Sequence, residues 1–172
     1  MGNIIYTLSR AMTWFGAFVL AVLSAITVVS IVGRSLSFAG LGPVPGDFEL
    51  VEAGTALAVF CFLPWAHLRG GHATVDLFWK SFSAPVRYGL EVLADAMMLV
   101  VWVLLVWRMS LALLDYKENG ETTFILQFPV WWGYAVSFVP AIVGCVAYFW
   151  RLLESLGWVA QPANFTKTGA SH

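Results

Sequence analysis

The chain has 172 residues, 60% of them hydrophobic and 11% charged, with a net charge of −1. A soluble domain carries about 25% charged residues, so this chain has too little charge to cover a water-exposed surface. The near-neutral balance also excludes the basic surface that holds nucleic acid, and leaves a membrane-embedded chain of one domain.

The first long apolar run covers residues 11–33, directly after Arg10. It contains no charge and exceeds the core of about 7–15 residues found in a cleavable signal peptide, so it predicts a retained first span. About 20 apolar residues suffice to cross roughly 30 Å of hydrocarbon. The turn signal Gly42-Pro43-Val44-Pro45-Gly46 then introduces a second span over residues 47–68. Asp47, Glu49 and Glu52 lie near its start, and residues 53–66 are uncharged.

Residues 67–76 read HLRGGHATVD. Gly70-Gly71 allows backbone angles that other residues resist and so ends the second helix. Arg69 puts a cation at the negative end of that helix. His72 and Asp76 stand one turn apart if a helix starts there, which brings them within hydrogen-bonding reach. The mixed segment Val75–Phe82 suits either a short helix lying flat in the membrane interface or an irregular loop.

A third span is predicted over residues 84–115, where Ser83 can cap and Pro85 fits the first turn. At 1.5 Å per residue it would be about 48 Å long, so its first turns, with Arg87 and Glu91, project into the headgroup region. The fourth span covers residues 129–152, within the uncharged stretch 122–150. Strand-like alternation is absent, so the predicted fold is an all-α membrane protein with four transmembrane helices over residues 1–156. Residues 157–172 form a polar tail, expected to be mobile. The sequon Asn164-Phe165-Thr166 falls in that tail, on the side assigned to the cytoplasm, and is discounted.

Basic residues orient the bundle. With the N-terminus inside, Arg10, Arg69, Lys80, Arg87, Arg151 and Lys167 are all inside, and Arg34, Arg108 and Lys117 are outside. Both termini are therefore expected in the cytoplasm. Trp131 and Trp132 at the outer interface and Trp65, Trp79 and Trp150 at the inner one agree with this.

Ionisable residues inside a membrane are costly and are candidates for function by default. Glu49 and Glu52 share the outer half with Arg34 and Arg108. That layer suits a proton or sodium relay or an interhelical ion-pair clamp. The clamp is preferred, because residues 56–62 and 98–104 offer no polar continuation through the midplane. Asp95, one turn from Glu91, lies at the inner end, where Arg69 or Arg87 could neutralise it. Small residues mark faces where helices approach closely in lipid. They recur every four residues as Gly133, Ser137, Ala141 and Cys145 on the fourth helix and as Ala17, Ala21 and Ala25 on the first, stripes that suit either the internal bundle or a larger partner. His67 and His72 share one membrane edge and His172 lies in the tail, a poor set of axial haem ligands; zinc ligands are too few. Cys61 and Cys145 show no metal-ligand spacing and read as small packing residues. No cofactor, no metal and no enzymatic constellation of nucleophile and base is expected.

Two stretches resemble a known family. Pro45-Gly46-Asp47-Phe48-Glu49-Leu50 followed by Leu68-Arg69-Gly70-Gly71-His72-Ala73-Thr74-Val75-Asp76 is similar to the small membrane subunit of TRAP (tripartite ATP-independent periplasmic) transporters, the DctQ type. Gly120-Glu121-Thr122-Thr123 with Pro129-Val130-Trp131-Trp132 resembles the family's outer loop and the start of its fourth helix. The resemblance covers about residues 10–155. It departs at Ala73-Thr74, where a bulky apolar and a basic residue are more usual, and at Asp47. It implies a bacterial inner-membrane scaffold subunit without catalysis, in a sodium-driven system importing an organic acid such as a dicarboxylate, sialic acid or a related carboxylate. The implied partners are a large membrane subunit, held stably, and a periplasmic binding protein, held transiently, with lipid around them. Two other functions remain open from the residues alone. One is a self-sufficient oligomeric transporter with protons carried on Glu52 or Asp95; the other is a haem-bearing redox membrane anchor.

Overall fold

The computed structural model describes residues 2–70 and 83–162. Four long helices follow one another: α1 (Gly2–Ser35), α2 (Asp47–Leu68), α3 (Ala84–Asn119) and α4 (Val130–Ser155), with one 3-10 turn at Ser37–Ala39. Each is long and apolar enough to cross a membrane. Among the described residues the one strand-like feature is an isolated bridge between Thr122 and Pro129. The fold is all-helical, as the apolar runs predict.

Helix ends follow local chemistry. Gly46 precedes α2 with φ 73°, a left-handed angle that disfavours a side chain. Gly70, at φ 61°, follows the end of α2, and Gly120, at φ 65°, follows the end of α3. Ser83 stands at the N-cap of α3, but its hydroxyl caps nothing; the first turn carries Pro85 instead. α1 begins at Gly2 rather than at Ala11, so Arg10 is helical. With 34 and 36 residues, α1 and α3 reach about 50 Å, well beyond the hydrocarbon thickness. The segment Val75–Phe82, together with Gly71, His72 and Asp76, lies outside the described residues.

The order of packing is α1 on α2, α2 on α4 and α4 on α3, with a lighter contact of α1 to α4. α2 and α4 are therefore central, and α1 and α3 flank them. On α1 the buried positions Gly2, Ser9, Gly16, Leu23 and Ser30 recur every seven residues, joined by Tyr6. A seven-residue repeat keeps one seam facing a partner helix that crosses at a shallow left-handed angle. The seam is narrow: a Cβ on Gly16 would stand 2.9 Å from the Cβ of Cys61 on α2. Ala17, Ala21 and Ala25 are exposed, so that stripe takes no part in the internal bundle. Two small-residue stripes compete on α1, and the one with glycine and serine admits the closer neighbour.

On α4 the buried set is Ser137, Pro140, Ala141, Gly144, Ala147 and Tyr148. Ser137 and Ala141 lie inside as the small-residue stripe predicts, but Cys145 is only partly buried, and Gly144 makes the close approach. A Cβ on Gly144 would fall 2.4 Å from the indole of Trp102 on α3. Trp102 lies in that groove, donates Nε1–H to the Ala141 carbonyl at 2.9 Å and stacks on Tyr148 at 4.7 Å. Trp102 and Met109 are the buried large side chains of α3, whose other faces are open. Open apolar faces of this kind meet lipid or another membrane chain.

Candidate functional site

Polar chemistry concentrates at the two ends of the bundle. At the end holding the 36–46 and 120–129 loops, Asp47 ties α2 to α1: its Oδ2 accepts the Ser30 hydroxyl at 2.5 Å, and Ser30 Oγ accepts the Val44 amide at 3.2 Å. Glu49 ties α2 to the second loop by accepting the amides of Ile125 at 2.6 Å and Leu126 at 2.9 Å. That loop closes on itself through Thr123 N–H to the Phe128 carbonyl and Val130 N–H to the Glu121 carbonyl. Gln127 takes φ 56° within it. Glu121 thus acts there through its main chain, and Pro129 serves as the N-cap of α4. Lys117 lies over the Trp131 ring at 5.8 Å.

The expected clamp between Glu49 or Glu52 and Arg34 or Arg108 does not form among the described residues. Arg34, Arg108 and Glu52 are exposed, and the arginines sit on the two flanking helices. Glu49 has main-chain donors closer at hand. Beneath the loop, α2, α3 and α4 border a half-open cavity of about 510 Å³, with Glu52, Tyr116, Tyr134 and Ser137 in its wall.

The ion pairs lie at the opposite end, where α1 and α3 begin and α2 and α4 finish. Asp95 on α3 sits between an imidazole and a guanidinium: Oδ1 is 3.4 Å from His67 Nε2 on α2, and Oδ2 is 3.6 Å from Arg151 Nε on α4. Its carboxylate also accepts the Ser155 hydroxyl. Glu154 is the second carboxylate, accepting Tyr6 O–H at 2.8 Å, Trp150 Nε1–H at 2.9 Å and Arg151 Nη1–H at 3.4 Å. The Tyr6 hydroxyl accepts Gln161 Nε2–H at 3.2 Å, so residue 161, counted from sequence in the tail, lies against the start of α1. The His67 ring stacks on Tyr148 at 4.1 Å, and Tyr148 on Trp102 at 4.7 Å.

All four helices contribute to this network, whose members are mostly buried: His67 and Glu154 are each 3% exposed. Two carboxylates, one guanidinium and one imidazole offset each other's desolvation when every lone pair and proton is directed at a neighbour. Asp95 is neutralised here by Arg151, with His67 beside it, in place of the expected Arg69 or Arg87. Arg151 is on a helix packed against α3, whereas Arg69 follows the end of α2 and lies over the Trp65 ring at 5.5 Å. Sequence reasoning weighs His67 only as a haem ligand and Arg151 only as an inside charge, and it misses Glu154 and Tyr6. The recurrence of Tyr148, Arg151, Glu154 and Ser155 at helical spacing on α4 marks the face that carries them.

The arrangement is suited to holding helices in one register. Among the described residues no group of three or more His, Cys, Asp or Glu side chains is placed to hold a metal ion. No curated protein and no solved structure matches the chain. Residues 23–157 do match the family described as Tripartite ATP-independent periplasmic transporters, DctQ component, a stretch that takes in α2, α3, α4 and the second part of α1. With that match across most of its 172 residues, the chain belongs to the DctQ family, the small membrane component of TRAP transporters.

Proposed function

We propose that this chain is the static scaffold subunit of a sodium-driven, binding-protein-dependent transporter that imports an organic acid: a dicarboxylate, sialic acid or a related carboxylate. It lies in the inner membrane with both termini in the cytoplasm, stabilises the large transport subunit and helps dock the periplasmic binding protein at its 36–46 and 120–129 loops. It performs no catalysis of its own.

One observation carries this reading. The most buried charged groups, Asp95, Glu154 and Arg151, are bound to one another and to His67 across three helices, and Tyr6 ties the fourth helix to them. A carrier needs charges that change partners as solute passes; a scaffold needs charges that hold partners. The open apolar faces of α1 and α3 provide surface for a larger membrane chain as well as for lipid. The basic residues near the ends of the spans support the orientation.

The test is a gentle affinity purification followed by reconstitution. A larger polytopic protein should accompany the chain, and uptake into vesicles should require that protein, the binding protein and a sodium gradient. Accumulation of an organic acid in vesicles containing this chain alone overturns the proposal.

A further inference from the structure

Both α2 and α3 pack on α4, but near the 120–129 loop they stand apart, and they meet again at Phe60 and Trp102, whose rings touch edge-on at 5.6 Å. The gap is the cavity of about 510 Å³ described above, within the size range of small-ligand sites. Three carboxylates, Glu49, Glu52 and Glu121, line it, and among the described residues no lysine, arginine or histidine does. Glu49 is engaged by two main-chain amides, which leaves the charges of Glu52 and Glu121 facing the space. Aromatic rings share the wall: Tyr116 and Tyr134 stack at 5.1 Å, and Phe60 also lines the space.

Ser137 supplies an independent sign of a ligand. It is 3% exposed, lines the cavity, and its hydroxyl has no hydrogen-bond partner among the described residues. Thr13, Ser24, Thr27 and Ser35 each donate to the carbonyl four residues earlier, the ordinary way a helical hydroxyl is satisfied in an apolar setting, whereas Ser9 on α1 shares the unpartnered state of Ser137 but does not line this cavity. Ser137 forgoes that bond, and a buried polar atom without a partner is costly unless something else fills the role.

A metal ion needs a converging shell of ligands, and among the described residues no three His, Cys, Asp or Glu side chains come together to form one. An anion is repelled by the carboxylates, and a neutral apolar molecule leaves the Ser137 hydroxyl and the carboxylates without purpose. We infer that the cleft between α2 and α3 binds an organic ammonium group, with its charge facing Glu52 and Glu121, an N–H toward Ser137 and its apolar body against the Tyr116–Tyr134 pair. Carboxylates attract the charge, and aromatic faces bind cations through the ring quadrupole. The ammonium can come from a free amine or from the headgroup of an aminophospholipid.

The experiment uses the full purified chain in nonionic detergent. Phenethylammonium binding is followed by titration calorimetry, with 2-phenylethanol as the neutral control. Retention of phosphatidylethanolamine against phosphatidylglycerol is followed by native mass spectrometry. Preferential retention of phosphatidylethanolamine identifies a lipid headgroup as the source; phenethylammonium binding without it identifies a free amine; both together support the shared chemistry. Glu52→Gln should weaken whichever binding is seen by about tenfold, the loss of one charge-assisted contact. Ser137→Ala should weaken it by roughly threefold, the loss of one neutral hydrogen bond. Glu52 is exposed, so its variant should keep the wild-type unfolding temperature. Failure of both ammonium probes to bind overturns the inference. So does equal binding of the neutral alcohol, or unchanged binding in a folded Glu52→Gln variant.

Discussion

The imidazole of His67 and the carboxylate of Asp95 meet at 3.4 Å, although they belong to helices that flank α4 and are joined elsewhere mainly by the edge contact of Phe60 with Trp102. The pair brings α3 to α2 at the end of the bundle where the cavity does not separate them. Arg151, at 3.6 Å from the same carboxylate, brings α4 into the junction.

Asp95→Asn is therefore expected to destabilise the purified chain by about 2 kcal/mol. That lies between the 3–5 kcal/mol typical of breaking a buried ion pair and the average near 0.6 for interhelical hydrogen bonds in membranes. His67→Gln should cost less, and the double variant should show a coupling of at least about 0.5 kcal/mol. Denaturant unfolding of the four proteins in detergent measures this. Strict additivity would mean that the two side chains are neighbours without interaction.

The second expectation concerns Gly144 and Trp102. Gly144→Ala places a methyl where the indole now lies and should destabilise by about 1–3 kcal/mol through overpacking. Trp102→Leu relieves that clash, so Gly144→Ala should cost markedly less in the Trp102→Leu background. Equal cost in both backgrounds would remove the indole as the cause.

Tyr6→Phe removes one donor to Glu154 and the acceptor for Gln161. The expected loss is about 1 kcal/mol, the net contribution of an ordinary hydrogen bond. The same variant should release residues 157–162 from α1, read as faster amide exchange in that segment. Unchanged exchange there would show that the Gln161 contact does not hold the segment.

Glu49→Ala should loosen the 120–129 loop while leaving α2 helical. Amide exchange at Ile125 and Leu126, the two donors to the carboxylate, should rise by roughly tenfold. Exchange in the middle of α2 should stay as in the wild type. If the whole helix loosens along with the loop, Glu49 supports the helix rather than the loop.

The spans were legible because crossing a membrane demands long uncharged runs, and such runs are contiguous in sequence. α2 runs from Asp47 to Leu68, the range expected from its charges and the flanking glycines. Gly70 and Pro129 likewise stand at helix boundaries. Asp47 and Glu49 were recognised as candidates, but their partners, a serine on α1 and two loop amides, carry no charge and were not sought.

What the sequence determines by itself is the number of helices, the positions of their breaks and, through the stretches around residues 45–50 and 120–132, the DctQ family. Tertiary structure alone decides which faces meet and which ions pair. In water a core-facing stripe stands out against polar neighbours, but in a chain that is 60% hydrophobic every face of a spanning helix is apolar, and the amphipathic signal is flat. Rotation of each helix then depends on where a partner can come closest: at Gly16 rather than Ala17, at Gly144 rather than Cys145. Once those contacts set the rotation, His67, Asp95 and Arg151 fall together from three separate helices.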